Sequence, residues 1–159
     1  MPSIQASSKL FDDVSVTGYF HVPGGTGAVI CSPDGGTTKK SVDMRDYSVL
    51  SVVCIASVLV GVGVNLLEIV AAEDAAMATN LTVIKSSVIT ANVLGGKCGI
   101  ECTDEEISGI GSPLGYKLRY AAARLTVANA GDKVAVTYIR SLPRFAYLGQ
   151  TSFTPGTAD

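Results

Sequence analysis

The sequence has no tryptophan, a single histidine and few charged residues, which make up 16% of its 159 residues. One histidine, His21, leaves little material for acid–base catalysis or for a zinc site, which needs several His or Cys ligands at close spacing. Basic residues do not outnumber acidic ones (12 against 14), whereas nucleic-acid binders gather an excess of positive charge. We therefore expect no enzyme, no metal or other cofactor, and no nucleic-acid partner.

The first residues, 1–5, lack both the basic and the apolar region of a secretory signal. We expect a chain made in a reducing cytoplasm, where thiols stay reduced. On that basis the four cysteines, Cys31, Cys54, Cys98 and Cys102, are predicted to be free. In an oxidising setting they can pair in three ways, between which the sequence does not choose.

What the sequence does contain is typical of short strands. Apolar residues make up 47% of the chain, with many Val, Ile and Ala, and they are interrupted by 17 Gly and 6 Pro. β-Branched residues suit a pleated surface, while Gly and Pro divide a chain into short segments. The length fits one domain. We predict an all-β fold, an antiparallel β-sandwich resembling a jelly roll, with a short helical turn and extended termini.

Residues 47–67 form an uncharged run long enough to cross a bilayer as a helix. The run is rich in Val and Ser, contains the poor helix sequence Gly61-Val62-Gly63-Val64, and is not bracketed by basic residues or tryptophan. Two buried strands, 48–56 and 62–71, with a bend at 57–61, are the favoured alternative. No membrane association is expected from it.

Turn and cap signals divide the rest of the chain. Strands are predicted at 14–22 and 27–32, and at 81–86 and 87–92. Thr103-Asp104-Glu105-Glu106 is a capping box that predicts a helical turn over 104–107. Segments 115–129 and 133–141 flank a Gly-Asp turn and predict a hairpin, with Val134, Val136 and Tyr138 on one face. Asn80 suits a left-handed position.

The polar ends complete the domain organisation. Residues 1–12 and 150–159 are interpreted as arms around a β-sandwich domain at 13–149. Such ends bury too little apolar surface to fold alone, but they can order against a partner. Their apolar side chains, Ile4, Leu10, Phe11 and Phe153, are the predicted partner-binding residues.

Two clusters resemble sites without meeting their requirements. Cys98 and Cys102 lie four residues apart in a predicted strand, a separation of about 13 Å that suits neither a shared metal nor a disulfide. The acids Glu101, Asp104, Glu105 and Glu106 lack the alternation of a calcium loop, and a helix N-terminus accounts for them.

The sequence KLRYAAARLTVANAGDKVAVTYIRSLPRFAY, with VDMRDYSVLSVVCIASVL before it, resembles small β-sandwich structural proteins of tailed-phage virions, of the capsid decoration (cement) or head–tail accessory type. The resemblance spans about residues 14–147. It implies structural roles for Arg119, Tyr120 and Arg124, and for Pro143 and Arg144. The apolar run at 47–67 and the four cysteines are departures from the pattern.

The resemblance also implies a function. We expect a capsid decoration protein that binds the major capsid protein or another virion protein, is a homo-oligomer (a trimer), and resides in a virion assembled in the host cytoplasm. A head–tail, tail or fibre-base protein is the nearest alternative. A small β-barrel enzyme and a membrane-associated protein are the alternatives from other classes.

Overall fold

The computed structural model describes residues 14–21, 27–33, 40–58, 64–90, 97–111, 117–127 and 131–143, with Pro113, Gly115 and Asn129. Within these ranges the chain forms nine strands and one helix, in the following order: β1 Val14–His21, β2 Gly27–Cys31, β3 Val42–Asp43, β4 Tyr47–Val58, β5 Val64–Ala72, β6 Thr82–Thr90, β7 Lys97–Thr103, α1 Asp104–Gly111, β8 Tyr120–Val127 and β9 Lys133–Pro143.

The strands form two antiparallel sheets. The first sheet has the order β1-β9-β4-β7, and the second has the order β2-β8-β5-β6, with the short β3 also paired to β8. Apart from β3, the strands form four antiparallel pairs: β1 with β9, β2 with β8, β4 with β7, and β5 with β6. Successive pairs lie in alternate sheets, which is the order of a jelly roll. The prediction of an all-β sandwich is confirmed.

The predicted hairpin in the last third is wrong. Strand β8 pairs with β2 and β5, whereas β9 pairs with β1 and β4 in the other sheet. The turn between them is closed by Asp132, which is buried, accepts a hydrogen bond from the Asn129 N–H at 3.2 Å, and donates its own N–H to the Asn129 carbonyl. Gly and Asp signal a reversal of the chain, but that reversal leads here from one sheet to the other.

The uncharged run at 47–67 forms two strands in different sheets, as the favoured alternative predicted. β4 lies between β9 and β7, and β5 lies between β8 and β6, so both are central strands. Neighbouring strands shield both edges of a central strand. This explains why β4 and β5 lack charged side chains over most of their length. None of the helical segments in the described ranges is long and apolar enough to cross a membrane.

The core lies between the sheets. The first sheet contributes the inward side chains of β4 and β9, and Val134, Val136 and Tyr138 are buried together as the alternation predicted. The second sheet contributes Leu67 and Ile69 from β5 and alternate residues of β8. Strand β8 is buried on both faces, since Ala121 and Ala123 lie in this core while Ala122 lies in a second cluster on the outside.

The helix and one loop close the sandwich. The Thr103 hydroxyl accepts the Glu106 N–H at 3.1 Å, and the Glu106 carboxylate accepts the Thr103 N–H at 2.9 Å, which confirms the capping box. α1 continues to Gly111, beyond the turn predicted over 104–107, and its Ile107 is 1% exposed and packs into the core. Asn80 has the predicted left-handed backbone, with φ of 53°. Where two strands are predicted, at 81–86 and 87–92, residues 82–90 form the single strand β6, and residues 91 and 92 lie outside the described ranges.

Tyr138 connects the two sheets. Its side chain is fully buried, and its hydroxyl accepts the Ala123 N–H at 2.8 Å and donates to the Cys31 carbonyl. Cys31 and Ala123 are register partners in β2 and β8. Tyr138, a residue of the first sheet, is therefore the hydrogen-bond partner of two backbone groups of the second sheet, at the position where β2 ends.

We expect Tyr138→Phe to lower the free energy of unfolding by about 2 kcal/mol, because the ring still fills its space while two buried backbone groups lose their partner. Urea unfolding followed by circular dichroism measures the change. Tyr120→Phe is the control, since its ring contact with Arg119 survives the substitution. Equal stability of wild type and Tyr138→Phe would contradict the bridging role.

Candidate interaction surfaces

The described surface offers two shallow grooves. One, of about 320 Å³, lies between β4 and β7 and is lined by Ser51, Val53, Gly99 and Glu101, where the Ser51 hydroxyl donates to Glu101 at 2.6 Å. The other, of about 410 Å³, lies beside α1. No group of three or more His, Cys, Asp or Glu in the described ranges is placed to hold a metal ion.

The acidic cluster at 101–106 has internal partners. Lys85 Nζ lies 2.8 Å from Glu106 Oε1, which ties β6 to the helix. The hydrogen bond from Lys85, followed by that from the Thr103 N–H, lowers the pKa of Glu106. Asp104 and Glu105 share the first turn of α1, where negative charge is favourable. These contacts support the interpretation of the cluster as a helix N-terminus.

The outer side of the first sheet carries no charged side chain along Val49–Ile55 of β4 or Ala135–Ser141 of β9, although Lys133, at the start of β9, lies exposed at the margin of the same side. The residues that alternate with the buried ones form what we name the uncharged face: Val49, Ser51, Val53 and Ile55 of β4, Ala135, Thr137, Ile139 and Ser141 of β9, and Gly99 of β7. Val53 lies at its centre, opposite both Thr137 and Gly99. Glu101 flanks it. A flat, uncharged sheet surface suits contact with another protein surface.

The outer side of the second sheet is different, because the chain covers it. Met77, in the loop after β5, is 4% exposed and packs on Val70, Ala72 and Ala122. Beside this cluster the Arg124 Nε lies 2.6 Å from Glu68 Oε2, and Glu68 is 8% exposed. A loop and an ion pair thus occupy the surface that corresponds to the uncharged face on the opposite sheet.

An electrostatic cluster joins the sheets at one end of the sandwich. Asp43 accepts the Arg119 Nε–H at 2.8 Å and the Arg45 backbone N–H at 2.9 Å, and a second Arg119 nitrogen also contacts its carboxylate. Arg140 of β9 donates to the Asp43 carbonyl at 3.2 Å and lies over the Tyr47 ring, 4.5 Å from its centroid. Burial opposes ionisation of Asp43, but the hydrogen bonds from Arg119 and Arg45 outweigh it and lower the pKa of Asp43.

The sequence-predicted residues are distributed as follows. Arg119 and Arg124 form the ion pairs with Asp43 and Glu68, in keeping with the structural roles that the resemblance implied. Cys98 and Cys102 lie on the interior side of β7. His21 ends β1, opposite Val134. The predicted anchors lie outside the described residues, as does Arg144: Ile4, Leu10, Phe11 and Phe153.

Sequence reasoning missed three contacts that the fold creates: the Tyr138 hydroxyl bridge, the Asp43–Arg119 pair and the opposition of Cys54 to Cys98. Each joins residues far apart in sequence. The only sequence signal was the charged segment at 43–46 directly before an apolar strand.

We expect the Asp43–Arg119 pair to make stability depend on pH. Because the folded pKa of Asp43 is lowered, its contribution is complete above the unfolded value of about 3.9 and is lost as the pH falls through the folded value. The difference in Tm between wild type and Asp43→Asn should be widest near neutral pH and narrow below about pH 4.

Thermal unfolding at a series of pH values measures this difference. Asp46→Asn is the control, since the side chain of Asp46 contacts the exposed Arg45 side chain, and we expect a smaller loss from it. If the difference in Tm between wild type and Asp43→Asn stayed constant down to about pH 2, ionisation of Asp43 would not be its cause.

Comparison with known proteins gives no family. No family model and no curated protein matches the chain. Solved structures similar to it include the crystal structure of PirA, with 12% identity, a TM-score of 0.39 and coverage of 87% of this chain and 99% of that one, and PRD1 vertex protein P5, with 11% identity, a TM-score of 0.40 and coverage of 82% and 98%. Function must be argued from the residues of this chain.

Proposed function

We propose that the chain is a structural protein of a virion, a capsid decoration protein that binds the major capsid protein of a tailed phage as a homotrimer. The observation that carries the proposal is the uncharged face: a rigid central region of the first sheet that presents Val, Ile, Ala, Thr and Ser side chains and no charged ones. Its chemistry is that of a surface for another protein. The virion assignment itself comes from the sequence resemblance at 14–147.

The contrast between the two sheets supports this proposal. The middle of the second sheet is covered on its outside by Met77 and carries the Glu68–Arg124 pair, while Val83 and Val88 of β6 stay exposed at its edge. Within the described ranges, no loop residue packs on the uncharged face as Met77 does on the other sheet, and no ion pair crosses it. We assign it to contact between copies of the chain around a threefold axis, because uncharged side chains are buried there without desolvating charges, and repeated copies bind a symmetric shell with avidity.

The polar ends, 1–12 and 150–159, are proposed as the attachment to the shell. Extended segments bind by adding to sheet edges or filling grooves, and their apolar side chains set the position. Ile4, Leu10, Phe11 and Phe153 are the anchors in this proposal. A head–tail or tail accessory protein would use its sheet surface and its ends in the same way. The presence or absence of this protein in particles that lack tails distinguishes a capsid protein from a tail protein.

Val53→Lys is expected to dissociate the trimer, because three lysines at the centre of the uncharged face repel one another and lose hydration on burial. Light scattering should give three times the 16.4 kDa chain mass for wild type and the single mass for the variant. Val88→Lys, on β6 of the other sheet where Val88 is 58% exposed, should remain trimeric. A trimeric Val53→Lys variant with wild-type circular dichroism would rule out this face.

Deletion of residues 1–12 and 150–159 together is expected to abolish binding to capsids while the trimer persists. Capsids stripped of the protein are mixed with each form, and the bound fraction is measured by co-sedimentation. The fourfold variant Ile4→Ser, Leu10→Ser, Phe11→Ser and Phe153→Ser should bind at least tenfold more weakly, since about 1.4 kcal/mol of lost burial gives a factor of ten. Unchanged binding would contradict the arm mechanism, and absence of the protein from purified particles would contradict the virion role.

A further inference from the structure

Two cysteines oppose each other across neighbouring strands. The register of β4 with β7 places Cys54 directly opposite Cys98. Directly opposite residues project to the same side of a sheet, and both thiols belong to the interior side, where Cys54 is 1% exposed and the half-buried Cys98 packs against the core. Each is a free thiol in the structure.

The spacing suits a disulfide between this pair alone. Opposite residues of antiparallel strands have Cα atoms about 4.5 or 5.5 Å apart, and disulfides join Cα atoms about 4.4–6.8 Å apart. Cys31 lies in the other sheet, at a typical sheet separation of about 10 Å, and Cys102 lies about 13 Å along the strand from Cys98. Both distances exceed what a disulfide spans without backbone movement.

We propose that Cys54 and Cys98 form a site of reversible covalent modification, a cross-strand disulfide made by exchange with a small-molecule disulfide such as oxidised glutathione. The Cys98 thiolate attacks one glutathione sulfur, and one glutathione thiolate leaves. The Cys54 thiolate then attacks the Cys98 sulfur of the mixed disulfide and expels the second glutathione thiolate. Two protein thiols are oxidised, and one glutathione disulfide is reduced to two thiols.

The environments of the two sulfurs set this order. Cys98 is the accessible partner, and its Sγ–H donates to the Ser87 hydroxyl at 3.2 Å. Cys54 is inaccessible to glutathione, and burial, with smaller contributions from Cys98 and Cys31, raises the pKa of the Cys54 thiol to about 12. The second step is therefore expected to quicken about tenfold for each pH unit between pH 7 and 9, as its thiolate fraction rises.

Strand β7 is able to accommodate the bond. It is the last strand of the first sheet in the described order, and Gly99 follows Cys98, so β7 can approach β4 with little resistance from side chains. The bond would close a loop that contains β5 and β6 of the other sheet. Both cysteines lie directly under the uncharged face, next to Val53 and Gly99. The thiol pair does not depend on the proposed virion role.

The test uses the full chain, purified with reductant that is then removed. After incubation with oxidised glutathione at about pH 8, titration of the denatured protein should count two thiols instead of four. Digestion with trypsin and a Glu-specific protease, which cuts after Glu101 and separates Cys98 from Cys102, should yield one disulfide-linked pair containing Cys54 and Cys98. The Tm should rise by on the order of 5–10 °C and return with dithiothreitol.

Three variants make the result specific. Cys54→Ser should accumulate a glutathione adduct on Cys98, because the second step has no nucleophile. Cys98→Ser should keep all three remaining thiols. Cys102→Ser is the matched control, on the same strand and side as Cys98 but opposite Leu50, and should still lose two thiols. A linkage to Cys31 or Cys102, or four thiols after prolonged oxidation at about pH 9, would overturn the proposal.

Discussion

The interior of this sandwich must be filled without tryptophan and with few other aromatic rings, and Tyr138 is the residue on which the solution depends. Its ring is the largest fully buried side chain in the part of the chain that the structure describes, and its hydroxyl reaches the backbone of the opposite sheet. A hydrophobic ring of the same size would fill the space but leave the Ala123 N–H and the Cys31 carbonyl without this partner. The contact therefore sets both the separation of the sheets and the position at which β2 departs from β8.

The alanines of β8 are the counterpart of that large ring. Ala121 and Ala123 leave room inside the sandwich, and Ala122 leaves room outside it for Met77. Small residues on both faces of one strand allow a side chain from another element to lie against each. The second sheet is in this way packed from two directions at β8, and Glu68 and Arg124 neutralise each other beside that cluster at 2.6 Å.

The sequence predicted the elements more successfully than their connections. Alternation identified the inward face of β9, the capping box identified the start of α1, and Val-rich composition identified β4 and β5 despite their joint length. The hairpin failed because a Gly-Asp turn describes a local reversal, whereas pairing is decided by which distant strand buries each face. Tyr138 with Cys31, and Asp43 with Arg119, are separated by 107 and 76 residues and leave no local pattern. The opposition of Cys54 and Cys98 likewise depends on a register that only the folded sheet defines.

The two sheets divide the tasks of the molecule. The second sheet is stabilised within the chain by Met77, by the Glu68–Arg124 pair and, through β3, by the Asp43 cluster. At one end of the first sheet Arg140 donates to the Asp43 carbonyl and lies over the Tyr47 ring, whereas the outer side of the middle of β4 and β9 is uncharged. An exposed sheet surface without charged side chains lowers solubility, and surfaces of this kind commonly mark contacts between proteins. The thiol pair lies beneath the same region, so that oxidation would act on β4 and β7, the two strands that shape the groove at Gly99. The features of this chain that packing alone does not explain thus converge on one side of the sandwich.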